Sequence, residues 1–282
     1  MSEFLDAVVH YPFVQYALLA GVLASIACGI VGTYVVVRRI TYIAGGISHC
    51  VLGGIGAALY CQKALGWEAF HPLYGAVAAA LIAAAIIGLV SLRAKQREDT
   101  VIGALWAIGM ATGVLFIAKT PGYSQDLMSY LFGNILMVAQ ADLWLIAALD
   151  LFVVAVGILF YNQFLAVCFD EEFARVRGIR VEFYYLLLLG LTALTVVLLV
   201  SVVGIVLVIA LLTLPVAVAG FFSRRLWHMM ILSAVFTILF TTAGLAISYK
   251  PDLPAGATII VLAGAVYLVV AVLTRLIRPR ST

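Results

Sequence analysis

Few side chains in this chain could do chemistry where the surrounding sequence is apolar, and each must be positioned by a long hydrophobic helix. His49 is the first, inside the run Ile43–Cys61 and about two helical turns, roughly 9–10 Å, from its Arg-rich end. Gly45, Gly46, Gly53 and Gly56 fall at i−4, i−3, i+4 and i+7 from it, so a titratable ring shares its helix face with positions that have no bulk. Such a face suits a cavity or the close approach of another helix. An ionisable group inside a bilayer is expensive and by default points to function; a histidine bonded to a neighbouring carbonyl is the other reading. Asp150, near the middle of Leu143–Tyr161, is the second candidate, and an isolated carboxylate there needs a partner or a proton. A helix-to-helix hydrogen bond is its simpler role. Asp142 and Asp252 lie at helix ends, and Asp252 reads as a turn or N-cap before Leu-Pro-Ala-Gly.

Composition says what holds these residues. Of 282 residues, 66% are apolar and 10% charged, with a mean hydropathy of +1.20, against about 45–50% and about 25% in a soluble domain. No polar stretch is long enough to fold separately, so residues 1–282 are expected to form a single transmembrane domain. A net charge of +3, scattered, excludes a nucleic-acid surface. Cys28, Cys50, Cys61 and Cys168 make no C-x-x-C pair, and the first two sit in apolar runs as small hydrophobes. The acidic start, Glu3 and Asp6, is unlike the basic head of a cleaved signal peptide, so the first apolar run reads as a permanent span. No phosphate-binding loop, H-E-x-x-H or G-x-S-x-G occurs, which leaves no readable machinery for hydrolysing ATP or a peptide.

Runs of about 20 apolar residues, the length that crosses a bilayer, fall at Phe13–Val37, Ile43–Cys61, Pro72–Leu92, Val101–Ala118, Leu143–Tyr161, Phe183–Val200, Val203–Phe222, Leu226–Ser248 and Ala257–Leu273. The fold class is therefore all-α, a polytopic bundle of 8–9 spans. A short run, Met128–Val138, reads as a re-entrant or interfacial helix. The boundary between Val200 and Val203 is the weakest, with only Ser201 to break it. Alternating the nine spans from Arg38 and Arg39 inside puts all but Lys63, Lys119 and Lys250 of the 16 basic residues in the cytoplasm. The N-terminus is then outside and the C-terminus inside. Arg38/Arg39 and Arg224/Arg225 read as orientation signals and nothing more. Gly21, Ser25 and Gly29 recur every four residues, as helix-packing positions do. Pro215, in mid-span, must kink or interrupt its helix. No internal repeat is evident.

One loop on the Arg-rich side differs from the others. Asp170, Glu171 and Glu172 open it, Arg175 and Arg177 come next, and Gly178 closes it. Acids at the positive end, bases at the negative end and a glycine stop predict a short helix. Phe169, Phe173 and Val176 would form an apolar ridge on it, suited to docking on a partner or to lying on lipid.

Ala44–Gly54, Glu98–Gly103, Ser129–Leu136, Phe169–Gly178, Val203–Ala217 and Asp252–Ala257, taken together and in this order, resemble the membrane subunit of ABC importers for divalent metals, the zinc and manganese permease family, over nearly the whole chain. The resemblance implies a type II ABC importer-like bundle and a homodimer in the bacterial cytoplasmic (inner) membrane. It implies two cytosolic ABC ATPase subunits, which bind the ATP, and an extracytoplasmic metal-binding protein. The chain itself would be non-catalytic and bind no cofactor, with Zn²⁺ or Mn²⁺ as the transported substrate. By the same resemblance Asp170, Glu171, Glu172, Phe173, Arg175 and Gly178 form the coupling helix that fits the ATPase. His49 would touch the ion in transit, while Gly45, Gly46, Gly53 and Pro215 would serve packing and gating. Many members carry an aspartate four residues before this histidine; here that position is Gly45. The path is then sparser, or Asp150 or Cys50 contributes. Losing a hard oxygen while keeping imidazole tilts selectivity from Mn²⁺ toward Zn²⁺, with iron also open. Two other classes are an ion-coupled secondary transporter, which predicts several intramembrane acids, and an ABC permease for a metal chelate, which needs a wider cavity. A structural scaffold would leave His49 and the loop helix without a role.

Overall fold

The structure, a computed structural model, describes residues 2–67, 69–93, 98–122, 131–133 and 135–277. Among these the helices are α1 (Ser2–His10), α2 (Pro12–Val37), α3 (Thr41–Ala64), α4 (Pro72–Arg93), α5 (Glu98–Lys119), α6 (Gln140–Leu159), α7 (Tyr161–Phe169), α8 (Glu171–Val176), α9 (Val181–Val203), α10 (Ile205–Phe222), α11 (Leu226–Tyr249) and α12 (Ala255–Ile277). Nine helices among the described residues, all except α1, α7 and α8, are long and apolar enough to cross a membrane. They coincide with the nine runs read from the sequence. Helix ends follow local chemistry: Pro12 and Pro72 open α2 and α4, where a missing N–H costs nothing. The Asp142 carboxylate accepts from the Ala139 N–H at 2.9 Å in the first turn of α6.

Lipid gives helices no hydrophobic reason to associate, so close packing depends on small residues. Helix α3 is the most enclosed span, held between α4 and α5 with α9 and α10 behind it. A β-carbon at Gly54 would fall on the carbonyl of Gly75, so α3 and α4 touch backbone to backbone. Helix α2 forms the second centre, against α11, α6 and α10. Its glycine row works as its spacing predicts: a β-carbon at Gly21 would meet Thr241 at 3.0 Å, and one at Gly29 the Met230 carbonyl at 2.8 Å.

Two sequence expectations need correction, and two further features are added. The helix break after α9 is at Gly204, not Ser201: Gly204 has φ +83, which only glycine adopts freely, and its backbone lies against that of Gly133. The fifth span ends at Leu159, and the polar stretch after it contains a further helix, α7. The N-terminal residues form α1, with Phe4 edge-on to Tyr249 and Glu3 3.7 Å from Lys250. Helix α10 passes through Pro215 without interruption. Asp252 takes φ +52 in a turn. The run Met128–Val138 falls partly on residues 128–130 and 134, outside the described residues; within the rest, Ile135–Met137 is one turn of 3-10 helix.

Candidate functional site

His49 is buried on α3, with 7% of its surface exposed, and it faces α5. Its imidazole stacks on the indole of Trp106, ring centroids 4.3 Å apart and planes 19° from parallel. Nδ1 has no hydrogen-bond partner. The bonded-histidine reading is therefore not what this nitrogen does. A buried polar atom without a partner costs about 1–3 kcal/mol, and an imidazole nitrogen that carries no proton can donate its lone pair to a cation.

The small residues around His49 explain how the indole reaches it. A β-carbon at Gly45 would meet Trp106 at 3.0 Å, and one at Gly46 would meet Ile102 at 2.9 Å. Further along, a β-carbon at Gly53 would meet the carbonyl of Gly109 at 2.8 Å and one at Gly56 that of Gly113 at 2.7 Å. The bulk-free stripe thus meets a helix rather than a cavity. Cys50 is turned to the same helix, its thiol donating to the Leu105 carbonyl at 3.3 Å. Trp106 does not stand out in the sequence as a site residue. The signal that could have found it is its place as the one large aromatic in a row with Gly103, Gly109 and Gly113, three, three and seven residues away.

Asp150 lies elsewhere. It is buried on α6 against α2, where one carboxylate oxygen accepts from the backbone N–H of Ala27 at 3.2 Å and the other has no partner. The structure therefore brings His49, Cys50, Gly45, Gly46 and Gly53 together at the α3–α5 interface and places Asp150 at the α2–α6 interface. Pro215 is buried in α10, behind α2. Among the described residues, no three His, Cys, Asp or Glu side chains come together as a metal cluster. His49 and Cys50 together make a sparse donor set for a cation.

The loop helix is α8. Asp170 caps it, accepting from the Phe173 N–H at 2.9 Å, and Gly178 ends it at φ +77. Phe169, Phe173 and Val176 are exposed by 65%, 51% and 87%, while Ala174 is buried beneath them. Glu172 and Arg175 are also exposed. Glu171 points inward instead, and its carboxylate meets the Arg38 guanidinium at 2.5 Å. Arg38 was expected to be an orientation signal only; it is instead a nearly buried side chain with partners on three helices. Besides Glu171 it donates to the Val167 carbonyl and lies 4.4 Å above the Tyr185 ring. Cys168 adjoins it, and burial pushes that thiol up to about 11, with the Arg38 charge acting in the other direction.

The sequence pattern of the ABC 3 transport family matches residues 10–274. A probable metal transport system membrane protein of Chlamydia pneumoniae is 43% identical over 88% of this chain and 85% of its own length. The manganese transport system membrane protein MntC of Halalkalibacterium halodurans is 36% identical over 95% and 89%. Among solved structures, PsaBC from Streptococcus pneumoniae in complex with Fab superposes with a TM-score of 0.83 at 31% identity, covering 95% of this chain and 94% of that one. With nine candidate spans among its described residues and a family match over almost its whole length, this chain belongs to the ABC 3 transport family, as a non-catalytic, multi-pass membrane permease.

Proposed function

We propose that this chain is the permease of an ATP-driven importer of divalent transition-metal ions, working as a homodimer in a bacterial cytoplasmic membrane. Two cytosolic ATPase subunits and an extracytoplasmic metal-binding protein complete the assembly. The N-terminus is outside and the C-terminus cytoplasmic. The observation that carries this reading is the likeness to relatives named for metal transport, which covers 88% and 95% of this chain. His49 from each chain contacts the ion in passage, and Trp106 covers the imidazole between passages. The exposed ridge of α8 seats on the ATPase, whose closure on ATP moves the bundle. An ion-coupled carrier is less well supported, because Asp150, the acid in mid-span, is engaged with the α2 backbone.

Manganese is the first ion to test, since it is the one named for the MntC relative. Zinc is favoured by a different observation: at position 45 there is no carboxylate, and the donors nearest the stripe are an imidazole and a thiol. Borderline and soft ligands suit zinc better than manganese. The test is reconstitution with the ATPase and binding protein in liposomes, and then uptake of radioactive manganese and zinc. ATP-dependent accumulation of either ion is expected. Accumulation by the permease alone, without ATPase or nucleotide, would overturn the proposal. Phe173→Ala is expected to release the ATPase on co-purification; intact binding would remove α8 from the contact.

A further inference from the structure

Arg38 is placed where an orientation signal has no need to be. A charge that only marks the cytoplasmic side is best left in water, because drawing it into the protein costs several kcal/mol unless it is paired. Its side chain is 11% exposed and engages three helices at once. The Glu171 contact ties it to α8, the Val167 carbonyl to α7 and the Tyr185 ring to α9. Tyr185 extends the set to α4 by donating its hydroxyl to Ser91 at 3.0 Å. Arg38 itself caps α2, its N–H bonded to the Tyr34 carbonyl at 3.0 Å.

The link from Arg38 to the next helix is short and stiff. Arg39 takes φ +62, its N–H bonds to the Val36 carbonyl at 3.0 Å, and the Ile40 N–H bonds to Val35 at 2.9 Å. Helix α3 starts at Thr41, so His49 stands about 12 Å along a rigid helix from that turn, at about 1.5 Å per residue. A cavity of about 460 Å³ lies beside the turn, lined among others by Tyr42, Ile102, Glu171 and Tyr185. It leaves the turn and the inner side of α8 unpacked on one flank, with room to shift together.

We propose that Arg38 is the positioning residue that transmits movement of α8 to the α2–α3 turn, and so to His49. The Arg38–Glu171 pair is a strut that makes α8 and the turn move as one body, and Tyr185 sets the fulcrum. The proposal rests on the reading of α8 as the ATPase-facing helix.

The test is a double-mutant cycle on the reconstituted complex, with metal uptake and ATP hydrolysis measured on the same preparation. In Arg38→Gln and in Glu171→Gln, metal imported per ATP is expected to fall by about tenfold, the usual size of a coupling between distant sites, while the ATPase still co-purifies. The double variant is expected to be no worse than the worse single one, because the two residues form one link. Unchanged import per ATP in the single variants overturns the proposal, as does a double variant whose loss is the product of the two. Should Arg38→Gln fail to fold, Glu171→Gln, which is isosteric and partly exposed, decides alone by the same ratio. Phe173→Ala separates the two claims. If it leaves ATPase binding intact, the reading of α8 fails and the strut with it. If it releases the ATPase while Glu171→Gln imports normally, the strut alone is wrong.

Discussion

Trp106 and Gly45 are a matched pair: the indole that stacks on His49 passes 3.0 Å from where a β-carbon at position 45 would be. The glycine admits the indole, and the indole occupies the side of the imidazole that a longer residue at 45 would share. Gly45→Asp therefore has to displace the ring. Alone it is expected to reduce uptake. With Trp106→Ala it gains both space and a hard oxygen ligand, and uptake of manganese relative to zinc is expected to rise about tenfold. Competition between the two ions in one uptake assay measures this; a double variant with unaltered preference would refute it.

His49 has ring nitrogens, which the proposed ion path would use, and a flat surface that packs on Trp106, and these can be separated. His49→Phe keeps an aromatic ring against Trp106 and loses the nitrogens. Loss of a partner one shell away from a metal costs about 10–100-fold, so loss of the contact itself is expected to cost about 100-fold in uptake. Thermal unfolding in detergent should shift little, since the stacking survives. Normal import by this variant would remove His49 from the path.

The spans were legible because a bilayer imposes one requirement, about 20 apolar residues, and nothing in the sequence disguises it. The helix α8 was legible because its cap, charges and stop are local in sequence. Features that stayed hidden depend on partners distant in sequence. Arg38 looks like any basic residue at a membrane border until Glu171, Val167 and Tyr185 are folded around it. The break at Gly204 lay inside an unbroken apolar run, and its reason is the backbone of Gly133. The role of Trp106 needed the register of α5 against α3.

The contact of Gly54 with Gly75 is a severe steric constraint without charge or chemistry, which makes it a clean test of the packing. Gly54→Ala puts a methyl group onto a helix backbone and is expected to cost about 1–3 kcal/mol, the range for overpacking. Gly190, on α9, has nothing within 4 Å of its β-carbon position. Gly190→Ala is expected to be neutral or to stabilise by about 0.5–1 kcal/mol, since it only removes backbone freedom. Detergent unfolding temperatures of the two variants compare them directly; equal behaviour would mean that α3 and α4 are not in backbone contact.

Cys168 reports on the surroundings of Arg38 from α7, away from the α3–α5 interface that holds His49. Burial raises its thiol to about 11, so through neutral pH it stays protonated and the thiolate fraction grows as the pH rises. In a variant with Cys28, Cys50 and Cys61 replaced, maleimide labelling of Cys168 is expected to climb about tenfold per pH unit from about pH 7 to about pH 9, since the thiolate is the reacting form. An ordinary exposed thiol would begin to level off near about pH 8.5, and that profile would contradict the burial. The Arg38 guanidinium acts in the opposite direction, favouring the thiolate. Arg38→Gln in the same background should therefore slow labelling at fixed pH, provided the cavity beside the turn keeps its size. Faster labelling would mean that losing the Arg38–Glu171 pair opens the space between α7 and α8, a different structural role from the charge effect.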